Sequence, residues 1–201
     1  MPPLISALLL AAGSSSRMGQ PKALLPLNDK PAILHCLTPL LHGSVSEIIV
    51  ILGGGSEAAA AHLKDMSIKI LYNTLPQSEM VKSVRIGLQA MAPQCQAALI
   101  CLVDHPLVQA DTIKQIVAQG LEHPDKIIIP TFQERRGHPT LFPRQLLTAA
   151  YQGLNLHDII NRHADRVLLL PVADEGVVLG MDTPEEYQEL CRRLEEAQHG
   201  D

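Results

Sequence analysis

Residues 4–27 read LISALLLAAGSSSRMGQPKALLPL, and the way this stretch divides decides the fold. Ile5–Ala11 is a nearly unbroken apolar run, and it ends abruptly at Gly13-Ser14-Ser15-Ser16. A short continuous apolar run bounded by turn residues predicts a central parallel strand covered on both faces. Glu47–Leu52 and Ala97–Val103 share this character, and Ile68–Tyr72, Lys126–Pro130 and Arg166–Val172 are further predicted strands. Between them the apolar periodicity predicts helices over Ala32–Leu41, Glu57–Lys64, Ser78–Met91, Asp111–Gln119, Pro143–Ala150 and Pro184–Gln198. Asp111 or the residue before it reads as the cap of its helix, and Asp182 reads as a cap before Pro184. Strand–helix alternation points to an open α/β sheet, whose ligand crevice lies beyond the carboxyl ends of the strands.

The chain has 201 residues, 46% of them hydrophobic and 18% charged, which suits one globular domain spanning residues 1–201. Its formal charge of −5 and its 2% aromatic content argue against nucleic-acid binding, which needs cations along a phosphate backbone and aromatic platforms for bases. Leu4–Ala12 is too short to span a bilayer and has no basic flank, so a cytoplasmic protein with no membrane association is expected. Cys36, Cys95, Cys101 and Cys191 form no C-x-x-C pair and read as reduced thiols. No histidine pattern supports zinc.

The loop after the first strand carries the chemistry. Gly13, Ser14, Ser16 and Gly19 let backbone N–H groups approach an anion, and Arg17 and Lys22 bring two cations to the same turn. The spacing fits neither a Walker A loop nor G-x-G-x-x-G. Gly53-Gly54-Gly55-Ser56-Glu57-Ala58 does satisfy G-x-G-x-x-A, but no acidic residue follows at the distance a dinucleotide fold needs, so it reads as a structural bend.

LAAGSSSRMGQPKALL, residues 10–25, resembles the L-A-A-G-x-S-x-R-M-G-x-x-K-x-L-L signature of nucleotidyltransferases with the nucleotide-diphospho-sugar transferase fold. The nearest branch is the molybdenum cofactor cytidylyltransferase-like group of MobA/MocA-like NTP transferases. The resemblance implies a Rossmann-like three-layer α/β fold with a mostly parallel sheet. It implies that Leu10, Ala11, Ala12, Gly13, Ser14, Ser16, Arg17, Gly19 and Lys22 hold the nucleotide, with Arg17 and Lys22 neutralising its triphosphate. Leu102-Val103-Asp104-His105-Pro106 resembles the family's metal motif, which makes Asp104 a Mg²⁺ ligand and, with Arg17 and Lys22, part of the catalytic set. Gly180-Met181-Asp182-Thr183-Pro184 resembles a late segment that makes Asp182 the second ligand. Asn73 and Ser83 fall in the segment that lines the base and ribose, although Glu79 stands where the family has glycine. Arg136-Gly137-His138 resembles the G-H-P piece that meets the acceptor.

By this resemblance the expected reaction is Mg²⁺-dependent transfer of CMP from CTP to molybdopterin, with a molybdoenzyme or its chaperone as a further partner. The alternatives are transfer to a sugar phosphate or other phosphorylated acceptor, and a non-catalytic nucleotide- or cofactor-binding module. The charge divides in keeping with a bound Mg²⁺–nucleotide. Residues 1–100 hold seven basic and five acidic side chains, and residues 101–201 hold nine and sixteen.

Overall fold

The structure is a computed structural model that describes residues 4–13, 20–75 and 80–199. In chain order the strands are β1 (Leu4–Ala11), β2 (Pro26–Leu27), β3 (Lys30–Pro31), β4 (Glu47–Gly53), β5 (Lys69–Asn73), β6 (Cys95–Leu102), β7 (Ile127–Phe132), β8 (Arg135–Arg136), β9 (Thr140–Pro143) and β10 (Val167–Pro171). The helices are α1 (Ala32–Leu41), α2 (Glu57–Ala61), α3 (Met80–Ala90), α4 (Ala110–Glu122), α5 (Arg144–Leu147), α6 (Leu156–Arg162) and α7 (Pro184–His199).

The main sheet runs β10-β7-β9-β6-β1-β4-β5, with β8 paired to β7. β1 is parallel to both neighbours, Leu8 lying opposite Ile49 of β4 and Ile100 of β6. Side chains alternate across the sheet. Ala7 and Leu9 pack with Ile33 and Leu37 of α1 and Ile113 and Ile116 of α4. Leu8 and Leu10 pack on the other face with Val84 and Leu88 of α3 and Leu147 of α5. Both faces are covered, so the strand shows no polar alternation in sequence.

All six predicted strands are present. β9 departs from the expected pattern: it lies antiparallel between β6 and β7, with Thr140 opposite Ile100. Its four residues are too short to register as a periodic run. The insertion places residues 137–139 at the carboxyl end of β6. α6 also escapes sequence reading; Asn155 caps it, its side chain accepting from the Asp158 amide at 2.9 Å. The predicted Pro143–Ala150 helix is instead the short α5, which tightens into a 3₁₀ turn at Thr148–Gln152.

Two caps differ from expectation. α4 begins at Ala110, and Asp111 is an exposed partner of Lys114. The capping carboxylate comes from outside the helix: buried Asp174 accepts from the Gln109 amide at 2.8 Å and from the Thr112 hydroxyl at 2.7 Å. At α7 the cap is Thr183. Its hydroxyl accepts from the Glu186 amide, while the Glu186 carboxylate accepts from the Asp182 and Thr183 amides. This reciprocal capping box leaves the Asp182 carboxylate for other work. A small separate core of Leu25, Leu27, Ala32, Met181 and Leu190 seats α7 on the β2–β3 hairpin.

At the opposite end of the sheet, Glu47 accepts from the Ser6 hydroxyl at 2.6 Å, the Ala92 amide at 2.7 Å and the Lys69 ammonium at 2.7 Å. Burial pushes its carboxyl up, but hydrogen bonds from Lys69, Ser6, Ala92 and Cys95 outweigh burial and hold it down to about 2. The folded value lies below the unfolded one. The stabilisation is therefore complete above the ordinary glutamate range and is lost as pH falls toward about 2. Urea unfolding at stepped pH should show a steeper acid loss of stability in the wild type than in Glu47→Gln, with Glu47→Gln costing about 1–3 kcal/mol near pH 7. Thr183→Ala should cost about 1 kcal/mol in the same assay through loss of the α7 cap.

Candidate active site

A cleft of about 660 Å³ opens where β1, β4, β5 and β6 end. Leu10, Ala11, Ala12 and Gly13 form its floor, and Lys22 also lines it. Ser14, Ser16, Arg17 and Gly19 lie outside the described residues, as does Glu79. The end of β5 contributes Asn73, whose amide donates to the Ser83 hydroxyl on α3 at 2.9 Å. Both side chains are buried, and Asn73 also accepts from the Leu75 amide at 3.3 Å. Exposed Leu75 and Met80 give this side of the cleft an apolar rim.

The turn after β4 has a larger part than a bend. Gly53, Gly54, Gly55 and Ser56 all line the cleft. Gly55 has φ +76°, which favours glycine and keeps that wall free of side chains. The available signal in sequence is position: a glycine turn at the carboxyl end of a central parallel strand faces the crevice.

The charged centre joins three distant parts of the chain. Lys22 donates to Asp104 Oδ2 at 3.1 Å and to Asp182 Oδ1 at 2.5 Å. Asp104 stands just past the end of β6, and Asp182 stands just before α7. Burial disfavours the charge on Lys22, but hydrogen bonds and charge from Asp182 and Asp104 prevail and raise its pKa. Asp104 Oδ1 is buried and has no hydrogen-bond partner among the described residues. Two carboxylates with one unused acceptor oxygen fit a hard divalent cation, which prefers oxygen ligands. Among the described residues no group of three or more His, Cys, Asp or Glu side chains is placed to hold a metal alone. The rest of a coordination shell would come from substrate and water.

The acceptor-side residues separate. Arg136 is exposed on β8, away from the cleft lining. Gly137 is wedged under the segment before α7: a Cβ there would lie 2.3 Å from the Val177 carbonyl oxygen, and the His138 amide donates to that carbonyl at 2.8 Å. His138 packs against His105, with ring centroids 4.9 Å apart and planes inclined by 57°. Burial, reinforced by the neighbouring His105, brings His138 down to about 4, and burial lowers His105 as well. Both rings are neutral near pH 7, so His138 offers ring contact and hydrogen bonding rather than charge. The segment 174–181 ties these pieces together: the Met181 amide donates to the Asp104 carbonyl at 3.0 Å, and Asp174 anchors the loop before α4. Asp174 was invisible as a functional support, because a lone Asp in a loop carries no spacing signal.

Residues 7–167 match the MobA-like NTP transferase domain. The chain is 26% identical over 200 residues to nicotine blue oxidoreductase of Paenarthrobacter nicotinovorans, covering 94% of this chain and 97% of that protein. It is also 26% identical over 190 residues to the molybdenum cofactor cytidylyltransferase of Escherichia coli K12, covering 91% and 93%. Rv0371c of Mycobacterium tuberculosis superposes with a TM-score of 0.83 at 25% identity, over 94% of this chain and 98% of that one. A structure of Rv0371c in complex with manganese superposes at 0.76 and 22% identity, over 94% and 98%. With the match spanning most of the sheet and the signature loop, this chain belongs to the MobA-like NTP transferase family and is a nucleotidyltransferase.

Proposed function

We propose that the enzyme transfers CMP from CTP to a phosphorylated acceptor, molybdopterin, and releases pyrophosphate with Mg²⁺ as the metal. The observation that carries this reading is the Lys22–Asp104–Asp182 cluster at the carboxyl end of β1 and β6, beside a cleft floored by backbone. The choice of CTP and molybdopterin rests on the similarity to the molybdenum cofactor cytidylyltransferase along nearly the whole chain and on the L-A-A-G and G-H-P segments.

In this reading an acceptor phosphate oxygen forms a bond to the α-phosphorus, and the bond from that phosphorus to the bridging β-phosphate oxygen breaks. The electron pair leaves with pyrophosphate. Such transfer asks the protein for positioning and charge stabilisation rather than a covalent intermediate. Lys22 neutralises charge on the phosphates. The floor at Leu10–Gly13 and the wall at Gly53–Ser56 admit the nucleotide closely, and the Asn73–Ser83 pair presents a fixed polar edge to base and ribose. His105 and His138 shape the neighbouring acceptor side. Asp104 and Asp182 would hold Mg²⁺, which supplies neutralisation of the phosphate oxygens when bound. Arg17 supplements Lys22 on the triphosphate, and a molybdoenzyme or its chaperone receives the product. We assign the enzyme to the cytoplasm; among the described residues no helix is long and apolar enough to cross a membrane.

The equally long similarity to nicotine blue oxidoreductase favours a second reading, in which the same cleft serves redox chemistry on a bound substrate. Pyrophosphate release from each NTP, with Mg²⁺ and molybdopterin, separates the two. CTP should give the highest turnover. Lys22→Ala and Asp104→Ala should each lower it by about 10²–10³ or more while the circular-dichroism spectrum stays unchanged. Full turnover in either variant overturns the assignment.

A further inference from the structure

We propose that in the nucleotide-free protein Lys22 occupies the cation's place between Asp104 and Asp182 and keeps a divalent cation out until phosphate draws the ammonium away. The inference rests on the nucleotidyl-transfer reading and adds a second role for Lys22, as the metal's competitor.

The geometry is specific. Asp104 and Asp182 stand 78 residues apart in sequence and come to one point on a single ammonium, 3.1 Å and 2.5 Å from their oxygens. The Lys22 side chain is only 16% exposed, so its charge is stabilised mainly by neighbouring groups rather than by bulk water. A cation arriving alone would have to take both carboxylates and cost Lys22 these two charge-assisted hydrogen bonds. It would gain little in return. A hard divalent cation seeks about six oxygen ligands, and no third His, Cys, Asp or Glu side chain among the described residues is placed to join these two. A triphosphate resolves both deficits at once. Its oxygens extend the cation's shell, and its negative charge gives the ammonium a replacement partner across the same cleft. Asp104 Oδ1, buried and without a hydrogen-bond partner among the described residues, is an acceptor left over for the incoming cation.

The test uses Mn²⁺ as the probe, titrated into the full-length protein and followed by the electron paramagnetic resonance of free Mn²⁺. In nucleotide-free protein, Lys22→Gln should bind Mn²⁺ about tenfold or more tightly than the wild type, the size expected for one lost charge-assisted competitor. Lys22→Arg, which keeps the charge, should stay as weak as the wild type. Adding Asp104→Asn to Lys22→Gln should abolish the gain. Adding CTP to the wild type should tighten Mn²⁺ binding about tenfold beyond the affinity of CTP itself, which a protein-free titration supplies; this arm also decides the matter if Lys22→Gln does not fold. Equal or weaker Mn²⁺ binding by folded Lys22→Gln overturns the proposal, as does tight nucleotide-free binding by the wild type. Calorimetry of CTP with Mg²⁺ tests the underlying reading separately. No heat with any NTP would defeat nucleotidyl transfer while leaving the nucleotide-free Mn²⁺ comparison to stand or fall by itself.

Discussion

Leu8 and Leu9 of β1 are fully buried on opposite faces of the sheet, one beneath α3 and the other beneath α1 and α4. Burial of both faces is the constraint from which the rest of the molecule follows. A strand sealed in this way cannot present a functional side chain along its length, since a charge there would be stripped of water without a partner. Chemistry is confined to the strand ends. At the amino end the polar groups that do occur, Ser6 and Glu47, are consumed by one another and by the Ala92 amide. At the carboxyl end the backbone of Leu10–Gly13 is left open to the cleft, and Lys22, the first cation after it among the described residues, lines the same opening.

Completion of the site depends on a second, smaller packing event. Asp182 is separated from Lys22 by 160 residues, and no strand of the main sheet delivers it. It is brought in because Leu190 and Met181 pack with Leu25 and Leu27, which lie three and five residues after Lys22 in the chain. The same short satellite core therefore fixes both members of the ion pair. The capping box at Thr183 and Glu186 then satisfies the first amides of α7 without the Asp182 carboxylate. Had Asp182 been the cap, it would have been spent on the helix and unavailable to Lys22.

These features differ in how far the sequence reveals them. β1, β4 and β6 are legible because continuous apolar runs between glycine-rich turns have few other uses, and Lys22 and Asp104 are legible because each sits beside such a run. β9 is not, since four residues carry no period and its antiparallel placement is set by pairing with Ala97–Ile100, some forty residues away in sequence. Gly53–Gly55 looked like a bend alone, because what a turn faces depends on the order of strands in the sheet. Asp182 looked like a cap because local sequence around a helix start cannot tell which of two adjacent side chains turns inward. His105 and His138 show the same limit from the other side: their types invite a charged role, and only their mutual burial makes both rings neutral.

The distribution of charge gives the arrangement a further logic. The basic excess lies in residues 1–100 and the acidic excess in residues 101–201, yet the halves are interleaved in space, since β6 lies beside β1. Lys22 from the first half thus meets carboxylates from the second with no net charge needed elsewhere. Among the described residues the cluster brings two carboxylates to one ammonium. A ligand that is itself both cationic and anionic, such as a divalent ion chelated by a triphosphate, satisfies both signs in one step. The 660 Å³ cleft beside the cluster has room for such a ligand, and its glycine wall at Gly53–Gly55 permits the close backbone approach that a phosphate chain requires.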